Sequence, residues 1–271
     1  SPEFKPSLVF RDYGSWYHFV IAWDSGQATP ANRIKFYVNG IQYTGPFDTE
    51  TYPAQDANSS INGALAHEVA EKDGTAGHNF NGYMAETVFI DGTAYAASDF
   101  GEFDEDSPTI WKPKRVSGLT FGDNGFYLDY QDSAAFGNDV SGNNNDFTPS
   151  GLVAADKSQD SPTNNFNIMS PLVSPVTGLG TFSQGNTKVL NSTGAWRSYF
   201  GTLGPKAGKW YYEAKEITDS QRQGWAAERY IAKGGASYGP NSYAGNTTLE
   251  PSYATASSTG KIYWSNTSSA T

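Results

Sequence analysis

The sequence predicts an all-β protein. Three observations carry that expectation. Strand-like runs with two-residue alternation recur along the chain, Asn-Gly and Asp-Gly turns separate them, and no segment has the apolar spacing of a long amphipathic helix. Aromatic residues make up 15% of the chain and glycine occupies 29 of 271 positions, a composition suited to β-sandwiches with many tight turns. A chain of this length can bury one large core or two modest ones.

The elements follow in order. Residues 1–4, SPEF, look like a scar left by cloning and are set aside from the fold reading. Residues 16–23, WYHFVIAW, are apolar at both parities, the pattern of a strand covered on both faces. Residues 33–38, RIKFYV, set Ile34, Phe36 and Val38 against Arg33, Lys35 and Tyr37, and Asn39-Gly40 then leads into IQY. A type I′ turn needs positive φ at both central residues, which makes Asn-Gly the strongest short hairpin signal. AHEVAE (66–71) fits either a strand or a helical turn, and YMAETVFID (83–91) reads as a strand closed by Asp91-Gly92. Residues 97–118 turn from acidic to basic around Pro108 and Pro113, as at a domain exit. From 119 to 175 the chain is rich in Asn, Asp, Ser, Gly and Pro, with one strand-like run, FYLDY (126–130); this is the composition of a connector. TFSQGNTKVL, GKWYYEAKEIT and GKIYW then return to strand-like alternation. The reading is of two β-rich parts joined by a polar connector.

Charge narrows the function classes. Asp and Glu total 28 against 18 Lys and Arg, for a net charge of −10, which argues against a nucleic-acid partner and favours solubility. The chain has no cysteine, so disulfides and thiolate chemistry are excluded. No apolar run reaches the roughly 18 residues of a membrane-spanning helix, and no signal-peptide pattern is present.

Several stretches carry a family resemblance. WYHFVIAWD, NRIKFYVNGIQYT and FNGYMAETVFIDG, in this order, resemble the second half of a LamG, or concanavalin A-like, jelly roll. With FGEFDEDSPTIWKPK and FGDNGFYLDYQDSAAFGNDVSGNNNDFTPSGL downstream, the chain is similar to tail and structural proteins of tailed bacteriophages of the marine, metagenomic kind. GAWRSYFGT followed by GKWYYEAKEIT resembles the opening strands of a SPRY domain, also a β-sandwich. The resemblance implies a LamG-like jelly-roll part over 5–115 lacking its N-terminal strands, a connector over 116–175, and a SPRY-like part over 176–271 lacking its C-terminal strands. It also implies a virion-associated or extracellular module that contacts a glycan or a neighbouring virion protein. Strands without partners leave open edges, through which copies of the chain would pair into a homo-oligomer.

The chemical candidates are then weighed against plainer readings. In GEFDEDS (101–107), Glu102, Asp104 and Asp106 share one side of an extended chain, the arrangement of nucleophile, tuning carboxylate and acid in a glycoside hydrolase. Laminarinase-type hydrolases, which share the jelly-roll fold, carry E-x-D-x-E or E-x-D-x-x-E. Here Asp106 is one methylene short and Ser107 fills the alternative place. The stretch also runs from Phe100-Gly101 into Ser107-Pro108, so a solvated exit loop is the preferred reading and a β-glucan hydrolase the alternative. GASYG (235–239) matches the G-x-S-x-G elbow of serine esterases and makes Ser237 a weaker nucleophile candidate. Pro240 follows where a helix is needed, and no His occurs after His78, so a glycine-rich turn is favoured. His18, His67 and His78 have no metal-ligand spacing, and His18 reads as a packed histidine. In DVSGNNND, Asp139, Ser141, Asn143, Asn145 and Asp146 offer oxygens around Gly142, which suits Ca²⁺. Self-satisfied Asx turns look the same in sequence. Of the seven Trp residues, Trp111 and Trp225 sit among polar neighbours and are the candidates for stacking on a sugar ring, whereas Trp16 and Trp210 read as core strand residues.

Overall fold

The computed structural model describes residues 2–11, 15–63, 65–71, 79–80, 82–170, 180–190, 199–204 and 209–214, and the backbone of 222–225, 252–256 and 261–265. Among them the protein is all-β. The strands are β1 (Glu3–Pro6), β2 (Phe19–Trp23), β3 (Ile34–Val38), β4 (Ile41–Gln42), β5 (Phe47–Thr51), β6 (Thr87–Phe89), β7 (Gly101–Phe103), β8 (Trp111–Pro113), β9 (Phe126–Leu128), β10 (Thr181–Ser183), β11 (Lys188–Leu190), β12 (Arg222–Trp225), β13 (Ser252–Ala256) and β14 (Lys261–Ser265). The only helical segments among the described residues are single 3-10 turns at Pro30–Asn32, Ala97–Asp99 and Ala154–Asp156.

The chain divides into two compact units, Ser1–Asn165 and Phe166–Thr271. The first holds the antiparallel sheets β2-β3-β4, β1-β5, β6-β9 and β7-β8. The second holds β10-β11 and β12-β13-β14. The boundary therefore falls at 165/166, and most of the stretch expected as a connector, 116–175, lies within the first unit. There β9 pairs with β6, with Leu128 opposite Thr87 and Phe126 opposite Phe89. Farther along the same stretch, Trp16 donates its indole N–H to Asp160 Oδ2 at 3.1 Å. A polar composition marks many turns, and here those turns carry a paired strand.

The Asn-Gly hairpin forms as its sequence requires. Asn39 and Gly40 have φ of 47° and 77°, and β3 and β4 pair across the turn through Val38–Ile41 and Tyr37–Gln42. Asn39 also closes onto the entry to β2: its Oδ1 accepts from the His18 backbone N–H at 2.8 Å, and its own N–H donates to the His18 carbonyl at 2.8 Å. Arg33, buried at the start of β3, anchors the preceding loop. Its guanidinium donates to the carbonyls of Gln27 at 2.8 Å, Pro53 at 2.9 Å and Ala28 at 3.0 Å.

Four expectations are corrected. Residues 16–23 do not form a strand covered on both faces. Trp16 precedes the strand, and the cross-strand pairs Phe19–Val38, Ile21–Phe36 and Trp23–Ile34 compose one apolar face on which Ile21 is 69% exposed. Glu3 and Phe4, in the stretch set aside from the fold reading, lie in β1, which pairs with β5; Phe4 meets Phe47 and Tyr52 edge-on, each at 5.0 Å. AHEVAE takes neither regular form. Residues 209–214 of GKWYYEAKEIT form no strand, and Trp210 is 63% exposed rather than core. In the first unit the buried apolar side chains among the described residues are Ile34, Ala97 and Leu128. Phe126 extends that core by stacking on Phe89 at 5.6 Å and meeting Phe147 at 4.8 Å.

Candidate functional site

The hairpin β7-β8 brings GEFDEDS against Trp111. Gly101 pairs with Pro113, Glu102 with Lys112 and Phe103 with Trp111. Trp111 is fixed from several sides. Its Nε1–H donates to His18 Nδ1 at 2.9 Å, and Phe103 meets its ring edge-on at 5.0 Å. The indole also lies where two side chains are absent: a Cβ on Gly40 would sit 2.2 Å from it, and one on Gly101 2.4 Å. The turn glycine of one sheet and the first residue of another hairpin thus make the slot for this ring. Because His18 Nδ1 accepts the indole proton, the neutral ring carries its own proton on Nε2. Burial pushes the His18 pKa below 6.5, which favours that neutral form.

Beside Trp111 lies an open groove of about 400 Å³. Tyr37, Phe103 and Trp111 are its aromatic lining residues, Ala97 and Gly101 its small ones, and Glu102 and Lys114 its charged ones; the β7-β8 register sets the Glu102 side chain on the face opposite Phe103 and Trp111. Lys114 Nζ donates to the Ser98 carbonyl at 3.0 Å. Tyr37 was not singled out in the sequence. The available signal was its parity, since it is an aromatic on the face of β3 opposite Ile34, Phe36 and Val38.

Two of the three carboxylates of GEFDEDS, Glu102 and Asp104, lie against one ammonium, that of Lys112. Asp104 organises the hairpin turn: its Oδ1 accepts the N–H groups of Asp106 at 3.0 Å and Ser107 at 2.9 Å. Its Oδ2 meets Lys112 Nζ at 3.3 Å. The hydrogen bond from Lys112, then the Ser107 N–H, hold its carboxyl below the usual carboxylate range. Glu102 lies 3.8 Å from the same ammonium, and Glu102 and Asp106 are both exposed.

DVSGNNND forms a closed hydrogen-bond node. Asp139, only 6% exposed, accepts the N–H of Tyr127 at 2.8 Å and of Ser141 at 2.9 Å on Oδ1. Its Oδ2 accepts the Ser141 hydroxyl and the Asn145 N–H, each at 2.9 Å. Asp146 Oδ1 accepts the Asp139 N–H at 2.8 Å. Asn143 and Asn145 donate their amides to the Gly125 carbonyl, each at 2.9 Å. Burial alone would raise the Asp139 pKa; the Tyr127, Ser141 and Asn145 donors outweigh it and hold the carboxyl low. The five residues are brought together as expected, but four donors occupy the carboxylate positions that a cation would use. Among the described residues no cluster of three or more His, Asp or Glu side chains suits a metal ion.

His67 Nδ1 lies 2.8 Å from the Leu65 carbonyl. Ser237, His78 and the side chain of Trp225 lie outside the described residues. No described helix is long and apolar enough to cross a membrane. Comparison with protein-family models, curated proteins and solved structures returned no match.

Proposed function

We propose that the protein is a non-catalytic glycan-binding or adhesion module, associated with a virion surface or acting outside the cell. The observation that carries this reading is the open groove lined by Tyr37, Phe103 and Trp111. Aromatic faces pack against the C–H face of a sugar ring, and polar groups along the groove serve its hydroxyls. Few polar groups on an aromatic cleft is the usual composition of a small-ligand site. The resemblance to a concanavalin A-like jelly roll with a SPRY-like part, and to tail proteins of bacteriophages, points the same way. Fold alone does not choose between lectin and hydrolase.

The hydrolase alternative draws less support. Asp104, the central carboxylate of the three, is taken up by the hairpin turn, accepting the Asp106 and Ser107 N–H groups and the Lys112 ammonium. The test is affinity electrophoresis of the full chain through gels containing a panel of polysaccharides, with new reducing ends and ester cleavage measured on the same mixtures. Retention by at least one polysaccharide, weakened by Tyr37→Ala and accompanied by no product, is the expected result. New reducing ends that vanish in Glu102→Gln would replace this reading with the hydrolase.

A further inference from the structure

We infer that β2 is a docking edge whose partner is β2 of a second copy of this chain, paired antiparallel about Ile21. β2 lies at the edge of the sheet β2-β3-β4. Its inner side is fixed at both ends: the His18 carbonyl accepts the Asn39 N–H and the Asp24 N–H donates to the Arg33 carbonyl, each at 2.8 Å. In an antiparallel strand the N–H and C=O of one residue point to the same side, and that side alternates along the chain. The even-numbered residues from His18 to Asp24 therefore turn toward β3. Phe19, Ile21 and Trp23 turn their N–H and C=O groups outward, where no further strand lies among the described residues. Edges are normally blunted by charge, proline, a bulge or shortness. The other edges of the first unit show such features: Lys5 and Pro6 in β1, Asp48 and Glu50 in β5, Lys112 and Pro113 in β8, and only two or three residues in β4, β6, β7 and β9. β2 runs five residues, FVIAW, with none of them.

Self-complementarity makes the partner a second copy. A two-fold axis at Ile21 sets Ile21 opposite Ile21 of the second copy and Phe19 opposite its Trp23. Every outward-turned residue then falls in a hydrogen-bonded pair. A slip by one pair carries Phe19 or Trp23 past the end of the facing strand. The side chains of these residues share one face, so the register also brings aromatic against aromatic across the new pair. Charge agrees with it. The chain carries −10 overall and repels a copy of itself, but residues 16–23 hold no acid, lysine or arginine, and Asp24 falls opposite His18 rather than another carboxylate. Tyr37 stands opposite Val20, on the face away from Phe19, so both copies present it on the same side of the joined sheet. A polysaccharide would thus meet two grooves at once; this consequence rests on the glycan-binding reading, and the dimer does not.

The experiment is sedimentation of the full chain across the micromolar range at low and high salt. The expected result is a monomer–dimer equilibrium that moves toward dimer as salt screens the repulsion. Ile21→Lys sets two ammonium groups at the axis and should leave a monomer throughout. Its melting temperature should stay at the wild-type value, because the side chain is 69% exposed. Ile41→Lys is the control: Ile41 is 64% exposed on the same face, but in β4, and the dimer should persist. The chain has no cysteine, so Ile21→Cys gives an independent reading. Hydrogen-bonded pairs place their Cα atoms about 5.5 Å apart, within disulfide reach, and diamide should link two Ile21→Cys chains but not two Ile41→Cys chains. A monomer at every concentration, a dimer that survives Ile21→Lys, or one abolished by Ile41→Lys and cross-linked through Ile41→Cys would overturn the inference; the last outcome would mean that the apolar faces meet, not the edges.

Discussion

Trp111 shows how much a single residue depends on what its neighbours lack. Gly101→Ala would place a Cβ 2.4 Å from the indole, so the ring must leave its slot. Overpacking of this kind costs about 1–3 kcal/mol, and a shifted indole N–H signal in NMR spectra together with a lowered melting temperature checks it. Glu102→Gln is the contrast: an exposed side chain outside any cap should change stability by no more than about 0.5 kcal/mol, measured by denaturant titration. At Asp139 the four donors account for the low carboxyl without a cation. EDTA is therefore expected to leave the melting temperature unchanged; a fall restored by added Ca²⁺ would contradict that. The residue types around Asp139 were legible in the sequence, but their geometry was not. Oxygen-rich turns serve cations and backbone N–H groups equally well, and only the direction of the donors separates the two. The groove was half legible: Trp111 stood out among polar neighbours, whereas its two glycines come from distant segments.

At the scale of elements, local patterns carried further than pairings. Asn39-Gly40 announced the β3-β4 turn because positive φ is a local property. The pairing of β6 with β9 spans a polar stretch, and nothing in either run names its partner. The strand 19–23 teaches a related point. Its apolar residues at both parities suggested double coverage, yet Phe19, Ile21 and Trp23 form one face with Ile21 mostly exposed. This gives a paired prediction. Ile21→Thr should cost less than about 1 kcal/mol, since little apolar area is lost. Leu128→Ala, at a side chain 2% exposed, should cost about 2–5 kcal/mol. Equal losses in parallel urea titrations would show that the β2 face is covered.

For the whole molecule, the depressed pKa values of His18 and Asp139, the less exposed of the lowered groups, shape the pH profile. The unfolded chain takes up a proton at His18 near 6.5 while the half-buried ring resists, so its contribution is present above 6.5 and lost as pH falls from there through the folded value. Asp139 adds a second loss, beginning below 3.8 and completed as pH falls through its lowered folded value. Melting temperatures should therefore decline in two stages on acidification, and His18→Gln should remove the upper one. The all-β class was readable throughout, from alternation and turn residues. The boundary at 165/166 was not, because a polar composition is shared by connectors and by loops tied into a unit. The central claim, a glycan held at the Trp111 groove without cleavage, is tested most directly by NMR titration of the protein with an oligosaccharide from a polysaccharide that retains it in the gels. The account predicts saturable shifts of the Trp111 indole N–H and Tyr37 ring signals, with no new reducing ends. Saturable binding that leaves both residues unshifted, or cleavage of the oligosaccharide, would contradict it.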